Sequence, residues 1–220
     1  MKRLMALAVA LLMLSCSCQN EVRESRPPES PALTGTPFQG GGSRVAANVT
    51  KCLSGSDTVG VMLKVERIID GDTFEGHVIQ NPKTAYNPGV NPWMVQLTKI
   101  VVRINGIDAP ERGQFYGDVA TLHQQWLISG KAVGLKLKQK DKYGRWIATA
   151  YHDGADIGAE MLKEGLAWHY KEHDGNPCYA QLEAEAKLAG QGLWCDDRAV
   201  PPWEWRRMSK YERDAYRNYE

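Results

Sequence analysis

Five side chains in three separated patches of the sequence have the types that phosphate chemistry requires. Three are carboxylates, Asp72, Asp108 and Glu111, and two are guanidiniums, Arg103 and Arg145. Carboxylate oxygens bind hard divalent cations, and the planar guanidinium grips a phosphate through two parallel hydrogen bonds. Together these types predict metal-assisted hydrolysis of a phosphodiester, provided that the fold brings the three patches to one place.

The expected roles follow from what the reaction needs. A phosphodiester repels hydroxide and gains negative charge in the transition state, so catalysis needs a cation and a group that orients or deprotonates water. We expect Asp72, Asp108 and the backbone carbonyl of Ala109 to hold a calcium ion, because calcium accepts carboxylate, carbonyl and water oxygens. Glu111 would act on the attacking water, and the two arginines would clamp the phosphate.

Taken singly, these residues also have ordinary structural interpretations. Asp70-Gly71 is a common turn signal, and Asp108 before Ala109-Pro110 could start a turn. Arg103 is harder to explain in this way, because an unpaired guanidinium in an apolar strand is costly. The combination in this order therefore favours a site over three unrelated turns.

The hydrophobic pattern predicts the elements that would position these residues. Strands are expected over 61–69, 73–79, 95–104, 132–140 and 146–151, and helices over 118–129, 157–164 and 179–189. Five strands with a helix after the third, then two helices, predict an α+β fold, a five-stranded OB-fold barrel with three helices. In such a barrel the three patches would converge. Asp118 is expected to cap the first helix, and Trp126, Trp146 and Trp194 are expected in the core.

The stretch from about 61 to 194 resembles the thermonuclease family, the staphylococcal-nuclease-like nucleases. Four segments match in order: Asp-Gly-Asp-Thr at 70–73, the segment 103–111, Asp-Lys-Tyr-Gly-Arg at 141–145, and Gly-Leu-Ala at 165–167. The resemblance implies an OB-type barrel with three helices, calcium dependence, and cleavage of DNA and RNA that leaves 3′-phosphate ends. It also implies that Asp72, Asp108 and the Ala109 carbonyl are the calcium ligands.

The same resemblance implies roles for the remaining residues. Glu111 takes the general-base role, and Arg103 and Arg145 bind the phosphate and stabilise the transition state. The implied substrate-binding residues are Lys142 and Tyr143, which match positions near a terminal phosphate, and Tyr170, which falls near the position where the family stacks a base.

Some features depart from the best-known members of that family. Ala109 stands where they have threonine, but only its backbone oxygen is needed. The loop after Glu111 lacks their lysine-rich insertion, and the 81–92 loop is longer than usual. The 201–207 segment resembles an ending common in exported bacterial members, and we expect it to pack back onto the domain rather than to catalyse.

The N-terminus is predicted to be a targeting segment. Lys2 and Arg3 precede an apolar run that is too short to span a bilayer comfortably, and small residues follow it. Cys16 resembles a lipoprotein processing site and is the predicted lipidation site, with Cys18 or ordinary cleavage as alternatives. The predicted organisation is a signal segment 1–18, a flexible tether 19–58, a nuclease domain 59–198 and a C-terminal tail 199–220.

Export bears on the cysteines, the location and the partners. An exported chain meets oxidising conditions, so Cys178 and Cys195 are predicted to form a disulfide, with a zinc site as the alternative. We expect a cell-envelope lipoprotein or a periplasmic or secreted protein. It would act as a monomer without an obligate protein partner, on DNA and RNA, and would contact the membrane through its lipid anchor.

Composition does not identify the substrate, since a net charge of +1 is not typical of nucleic-acid binders. Two alternatives to an enzyme stay open. One is a catalytically inactive OB-fold module that binds nucleic acid, and the other is a surface interaction lipoprotein that uses the domain as a scaffold. Neither alternative explains why the sequence carries all three carboxylates and both arginines of the predicted site.

Overall fold

The computed structural model describes residues 60–80, 98–196 and 199–217. The predicted signal segment 1–18 with Cys16, the tether 19–58 and the long 81–92 loop lie outside these residues. The first three residues of the predicted strand 95–104 do so as well.

The strands of the described residues form a barrel. They are β1 (Val61–Ile68), β2 (Thr73–Gln80), β3 (Lys99–Ile104), β4 (Ile107–Asp108), β5 (Ala132–Lys140), β6 (Trp146–His152), β7 (Ala155–Asp156) and β8 (Trp168–His169). The main sheet has the order β3-β2-β1-β5-β6-β7, and a parallel pairing of β3 with β6 closes it into a barrel. β4 pairs separately with β8. The predicted five-stranded OB-type barrel is confirmed.

The inner face of the barrel follows the alternation of the strands. In β1, Val61, Leu63 and Val65 are buried and Lys64 is exposed. Because successive strand residues point to opposite faces, this pattern directs one apolar row into the core. Where β1 and β2 approach closely, a Cβ on Gly76 would lie 2.0 Å from the Lys64 carbonyl oxygen, so this position requires glycine.

Helices cover the ends of the barrel and continue into the tail. They are α1 (Gly117–Ile128), α2 (Ile157–Lys163), α3 (Pro177–Leu188), a 3₁₀ turn (Gly192–Cys195), α4 (Pro202–Trp205) and α5 (Lys210–Arg217). Asp156 caps α2 by accepting a hydrogen bond from the Ala159 amide, and it also accepts one from the Tyr179 hydroxyl of α3 at 2.9 Å. None of the helices in the described ranges is long and apolar enough to cross a membrane.

Two details of α1 differ from the sequence-based expectation. Its N-cap is Tyr116, whose φ of 64° lies in the left-handed region, and Asp118 lies in the first turn instead of capping it. The helix buries Ala120, His123 and Gln124 among others, whereas Trp126 is 49% exposed and not in the core. Trp146 and Trp194 are half-buried.

The predicted Cys178–Cys195 disulfide is wrong in this structure. Cys178 takes part in a disulfide that Cys195 does not share, and the Cys195 sulfur lies 3.7 Å from the Tyr116 hydroxyl oxygen. Cys178 lies in the first turn of the 12-residue helix α3, which spans about 18 Å. A disulfide needs its two Cα atoms within about 7 Å, and the chain after α3 carries Cys195 towards Tyr116 instead of back to Cys178.

Candidate active site

Two of the three patches meet at one arginine. Asp72 ends the β1–β2 turn, Arg103 lies in β3 opposite Thr73, and Asp108 ends β4. Arg103 Nη1 lies 3.0 Å from Asp72 Oδ2, and its Nη2 lies 2.8 Å from Asp108 Oδ1. The side chain of Arg103 is only 14% exposed, so the bulk of this ion-pair network is shielded from water. The structure thus brings together two carboxylates that are 36 residues apart in the chain.

Backbone and hydroxyl groups fix the orientation of Asp72. Its Oδ2 accepts a hydrogen bond from the Ala109 amide at 2.7 Å, and its Oδ1 accepts one from the Thr73 hydroxyl at 2.9 Å. Asp70 accepts a hydrogen bond from the Asp72 amide at 3.1 Å and so stabilises the turn, as the structural interpretation of Asp70-Gly71 expects. Ala109 therefore contacts the site through its amide, and the role of its carbonyl stays a prediction.

Glu111 joins these residues through an arginine that sequence reasoning missed. Arg206, directly after α4, donates from Nη2 to Asp108 Oδ2 at 2.7 Å and from Nη1 to Glu111 Oε1 at 2.8 Å. This Nη1 also lies 3.2 Å from Asp108 Oδ1. We call Asp72, Asp108 and Glu111, with Arg103 and Arg206, the carboxylate cluster. The only sequence signal for Arg206 was its place in the tryptophan-rich 201–207 segment.

The third patch lies on the turn between β5 and β6. Arg145 Nε pairs with Asp141 Oδ2 at 2.7 Å, and Asp141 Oδ1 accepts hydrogen bonds from the amides of Tyr143 and Arg145. Trp146, the first residue of β6, pairs with Val102 of β3. The turn that carries Arg145 therefore leads into a strand next to the one that carries Arg103. Among the described residues the guanidinium of Arg145 is thus paired with its own turn and not with the carboxylate cluster.

The predicted substrate-binding residues are in two places. Lys142 Nζ and the Arg145 guanidinium lie 5.1 and 5.5 Å from the ring centre of Tyr143, which is 72% exposed. Tyr170 lies elsewhere, with its amide bonded to the Gly106 carbonyl of the β3–β4 turn. The ring of Trp203 in α4 stacks on the ring of Tyr170, with 5.6 Å between the ring centres and 7° between the ring planes. One face of Tyr170 is therefore covered, and a base would have to use the remaining surface or displace Trp203.

Burial dominates the electrostatics of the cluster. It raises the pKa of Asp72 to about 6, although Arg103 and the Ala109 amide lower it. Burial also raises the pKa of Asp108, against the opposing effect of Arg206 and Arg103. The guanidiniums therefore do not fully offset the cost of burying two neighbouring carboxylates. A bound divalent cation would favour the ionised form of both.

The donor set suits a hard cation. The side chains of Asp72 and Asp108 offer only carboxylate oxygens. Oxygen ligands suit calcium and magnesium better than they suit zinc. Within the described residues, no group of three or more His, Cys, Asp or Glu side chains is placed to hold a metal ion. The two aspartates fit such an ion if backbone oxygens and water complete the shell. Arg206 now contacts both oxygens of Asp108 and would have to move aside.

Comparisons with known proteins show which proteins this chain resembles. Residues 101–196 match a family described as staphylococcal nuclease homologue. An uncharacterized endonuclease of Escherichia coli O157:H7 is 35% identical over 144 residues, covering 65% of this chain and 83% of that protein. An uncharacterized endonuclease of Haemophilus influenzae is 40% identical over 111 residues, covering 50% of this chain and 62% of that protein. The probable staphylococcal-like nuclease CAN1 of Oryza sativa subsp. japonica is 39% identical over 109 residues, half of this chain and a third of that protein (33%).

Proposed function

Because this chain belongs to the staphylococcal nuclease homologue family, we propose that it is a calcium-dependent endonuclease of DNA and RNA. It would hydrolyse phosphodiester bonds and leave 3′-phosphate ends. One observation carries the proposal: Arg103 bridges the buried carboxylates of Asp72 and Asp108 at 3.0 and 2.8 Å. With Glu111 and Arg206 included, the carboxylate cluster has three carboxylates against two guanidiniums, which leaves one negative charge for a cation.

The metal would supply positive charge to the non-bridging oxygens of the phosphate. In our proposal Asp72 and Asp108 hold it, together with the carbonyl of Ala109. The hydrogen bonds from Thr73 and the Ala109 amide keep Asp72 in one orientation. Such second contacts matter, because a ligand that is already oriented loses less entropy when the metal binds.

Arg103 is suited to binding the scissile phosphate. Within the described residues its Nη1 donates to the carbonyls of Ile104 and Ile107 and lies 3.0 Å from Asp72 Oδ2, and its Nη2 donates to Asp108. These contacts are made by the two terminal nitrogens, at one edge of the guanidinium. The other edge, with Nε–H and the second Nη2 hydrogen, matches the two-pronged geometry that arginine uses on phosphate. We assign the same function to Arg145, which would have to exchange Asp141 for the phosphate.

Glu111 is suited to acting on water. Its side chain is 38% exposed, so a solvent molecule can reach the carboxylate. Its backbone amide donates to Gln114 Oε1 at 3.0 Å, which fixes the loop on which it lies. Proton transfer by a positioned carboxylate typically contributes about a hundredfold or more to the rate.

The test is cleavage by the full-length protein of plasmid, single-stranded DNA and RNA, with calcium, with magnesium and with chelator. Glu111→Gln and Arg145→Ala are each expected to lower kcat about a hundredfold or more, the scale of losing one transition-state contact. Glu204→Gln is the matched control, because Glu204 is an exposed carboxylate of α4. The 3′ ends should resist extension by a polymerase until a phosphatase removes the phosphate. Full activity of Glu111→Gln, or cleavage in chelator, contradicts the proposal.

One observation favours a second candidate, an inactive OB-fold module that binds nucleic acid. Arg206 contacts both oxygens of Asp108 and one oxygen of Glu111. If Arg206 never leaves, the cluster binds no metal and cuts nothing. Binding without cleavage under every metal condition would support this candidate over the enzyme.

We also propose that the chain is exported and lipid-anchored through Cys16. The proposal rests on residues 1–18, which lie outside the described part of the chain. Incorporation of labelled palmitate by cells expressing the protein, and its loss in Cys16→Ser, tests it. Label retained in the variant would contradict the assignment to Cys16.

A further inference from the structure

A pocket of about 420 Å³ adjoins the carboxylate cluster. Its walls come from the end of β1 and the turn after it, the loop after β4, and the C-terminal tail from α4 to α5. Such a volume falls within the range of roughly 300–1,000 Å³ that is typical of small-ligand sites. Five arginines line it: Arg67, Arg112, Arg206, Arg213 and Arg217.

Among the described residues that line this pocket, positive charge exceeds negative charge. Against the five arginines there are two carboxylates, Asp70 and Glu111. Within the described part of the chain, two of the arginines have close acidic partners, since Arg67 pairs with Glu75 at 2.7 Å and Arg206 pairs with Asp108 at 2.7 Å. The excess positive charge comes from the other three, of which Arg217 has only a distant acidic neighbour.

Neutral groups hold two of these three arginines in place. Arg213 donates from Nε and Nη2 to the Met208 carbonyl at 3.1 and 2.9 Å. Arg217 Nε donates to the Gly113 carbonyl at 2.8 Å. A carbonyl fixes the position of a guanidinium but leaves its full charge. The nearby Asp214 offsets this only weakly, because it lies 3.6 Å from Arg217 and is half exposed.

Aromatic packing fixes the C-terminal segment that forms one wall of the pocket. Trp205 is 2% exposed, and its ring lies 5.6 Å from the Arg217 guanidinium and 5.2 Å from the ring of Tyr216. Of the two pocket arginines in α5, Arg217 is therefore held against a buried side chain. A binding site whose charges are already in position loses less entropy when it takes up its ligand.

The pocket is continuous with the carboxylate cluster, because Glu111 and Arg206 belong to both. We propose that the pocket binds a phosphate of the nucleic-acid strand that neighbours the phosphate to be cut. This inference rests on the proposed nuclease function. The recognising chemistry is that of a phosphodiester anion held by preplaced guanidiniums.

Binding can be measured without cleavage. Fluorescence anisotropy would follow a labelled single-stranded oligonucleotide with the full-length protein in chelator, over a range of salt concentrations. Arg112→Ala and Arg213→Ala are each expected to raise Kd about threefold to tenfold. Each should also lower the magnitude of the slope of log K against log salt by up to about 0.7, the value for complete loss of one phosphate contact on a single strand.

The matched control is Arg207→Ala, since Arg207 is an exposed arginine of the same tail that does not line the pocket. It removes the same charge and should leave both Kd and the salt slope within error. If all three variants weaken binding equally, the effect is long-range attraction and the pocket proposal fails. Arg112 lies on the loop after Glu111, outside the tail, so loss of tail packing cannot explain its effect.

Two further measurements separate the possible failures. Inorganic phosphate should compete with the oligonucleotide less well in Arg112→Ala than in the wild type. If phosphate binds the pocket but oligonucleotide affinity is the same in all variants, the ligand is free phosphate and the strand proposal is overturned. A wild type that never cleaves refutes the nuclease function, while the anisotropy result still decides whether the pocket binds a strand.

Discussion

Replacement of Arg206 by alanine is expected to strengthen calcium binding by the free protein. Arg206 donates to both oxygens of Asp108, at 3.2 and 2.7 Å, and Arg103 donates to one of them at 2.8 Å. A metal ion that binds Asp108 must displace these bonds and also sit beside the positive charge of Arg206. The alanine variant removes this competitor and leaves Arg103 to orient the carboxylate.

The size of the effect follows from the exposure of the pair. A charged hydrogen bond contributes about 1.5–3 kcal/mol, but the Arg206 side chain is 44% exposed, so solvent screens part of this. We take the low end, about 1.5 kcal/mol, which corresponds to an affinity change of about tenfold. The dissociation constant for calcium should therefore fall about tenfold in Arg206→Ala.

Isothermal titration calorimetry of the full-length protein with calcium, without nucleic acid, measures this change. Arg207→Ala removes the same charge from the neighbouring position and is expected to change Kd by less than about twofold. Tryptophan fluorescence would report whether the tail still packs, because Trp205 is buried. An unchanged or weaker affinity in Arg206→Ala would refute the argument, and would mean that Arg206 positions Asp108 instead of competing with the metal.

Stability should respond to three other changes, each followed by urea unfolding. Burial lowers the pKa of His123 to about 4 from 6.5, so the unfolded chain takes up a proton first as the pH falls. From pH 6.5 to 4 this should lower the unfolding free energy of the wild type by up to about 3 kcal/mol relative to His123→Leu, which keeps the opposite effect of the raised pKa of Asp72; the same pH dependence in both proteins would contradict this. Tyr179→Phe removes the bond to Asp156 at 2.9 Å and should cost about 1–3 kcal/mol; an unchanged midpoint would count against it. Leu135→Ala, at a fully buried position, should cost about 2–5 kcal/mol, against little effect in the exposed control Leu122→Ala.

The barrel could be predicted because its strands carry strong local patterns. The alternation in β1 of buried Val61, Leu63 and Val65 with exposed residues defines an inner face before any partner strand is known. The chain order then fixes which ends meet, since β2 follows β1 through a tight turn and pairs with β3. The Thr73–Arg103 pairing puts Asp72 beside Arg103, so their closeness follows from the topology.

Helix α1 could not be oriented in the same way. The pattern favoured its larger apolar residues as the inner face, yet Ala120, His123 and Gln124 are buried. At Ala120 the reason is the close approach of the β1–β2 turn, where a Cβ on Gly71 would lie 2.9 Å from that of Ala120, so only a small side chain fits at this position. The constraint comes from the packing distance, which the hydrophobic pattern does not encode.

The contact of Arg206 with Asp108 was beyond prediction for a different reason. The two residues are 98 positions apart, and their pairing depends on how α4 is anchored. The anchors are the buried Trp205 and the stacking of Trp203 on Tyr170. The sequence-based expectation that 201–207 packs back onto the domain is confirmed. Which of its side chains would reach the cluster depends on tertiary packing.

The shared position of Arg206 predicts that the proposed metal binding and the proposed strand binding are coupled. Arg206 lies on the wall common to the carboxylate cluster and the arginine-lined pocket. A strand phosphate in the pocket would attract Arg206 away from Asp108, and this frees the carboxylate oxygens for the metal. By thermodynamic linkage, the metal must then strengthen strand binding by the same factor. The tail would then act as a counter-ion for the carboxylate cluster in the absence of a strand, and would become part of the substrate site when a strand binds.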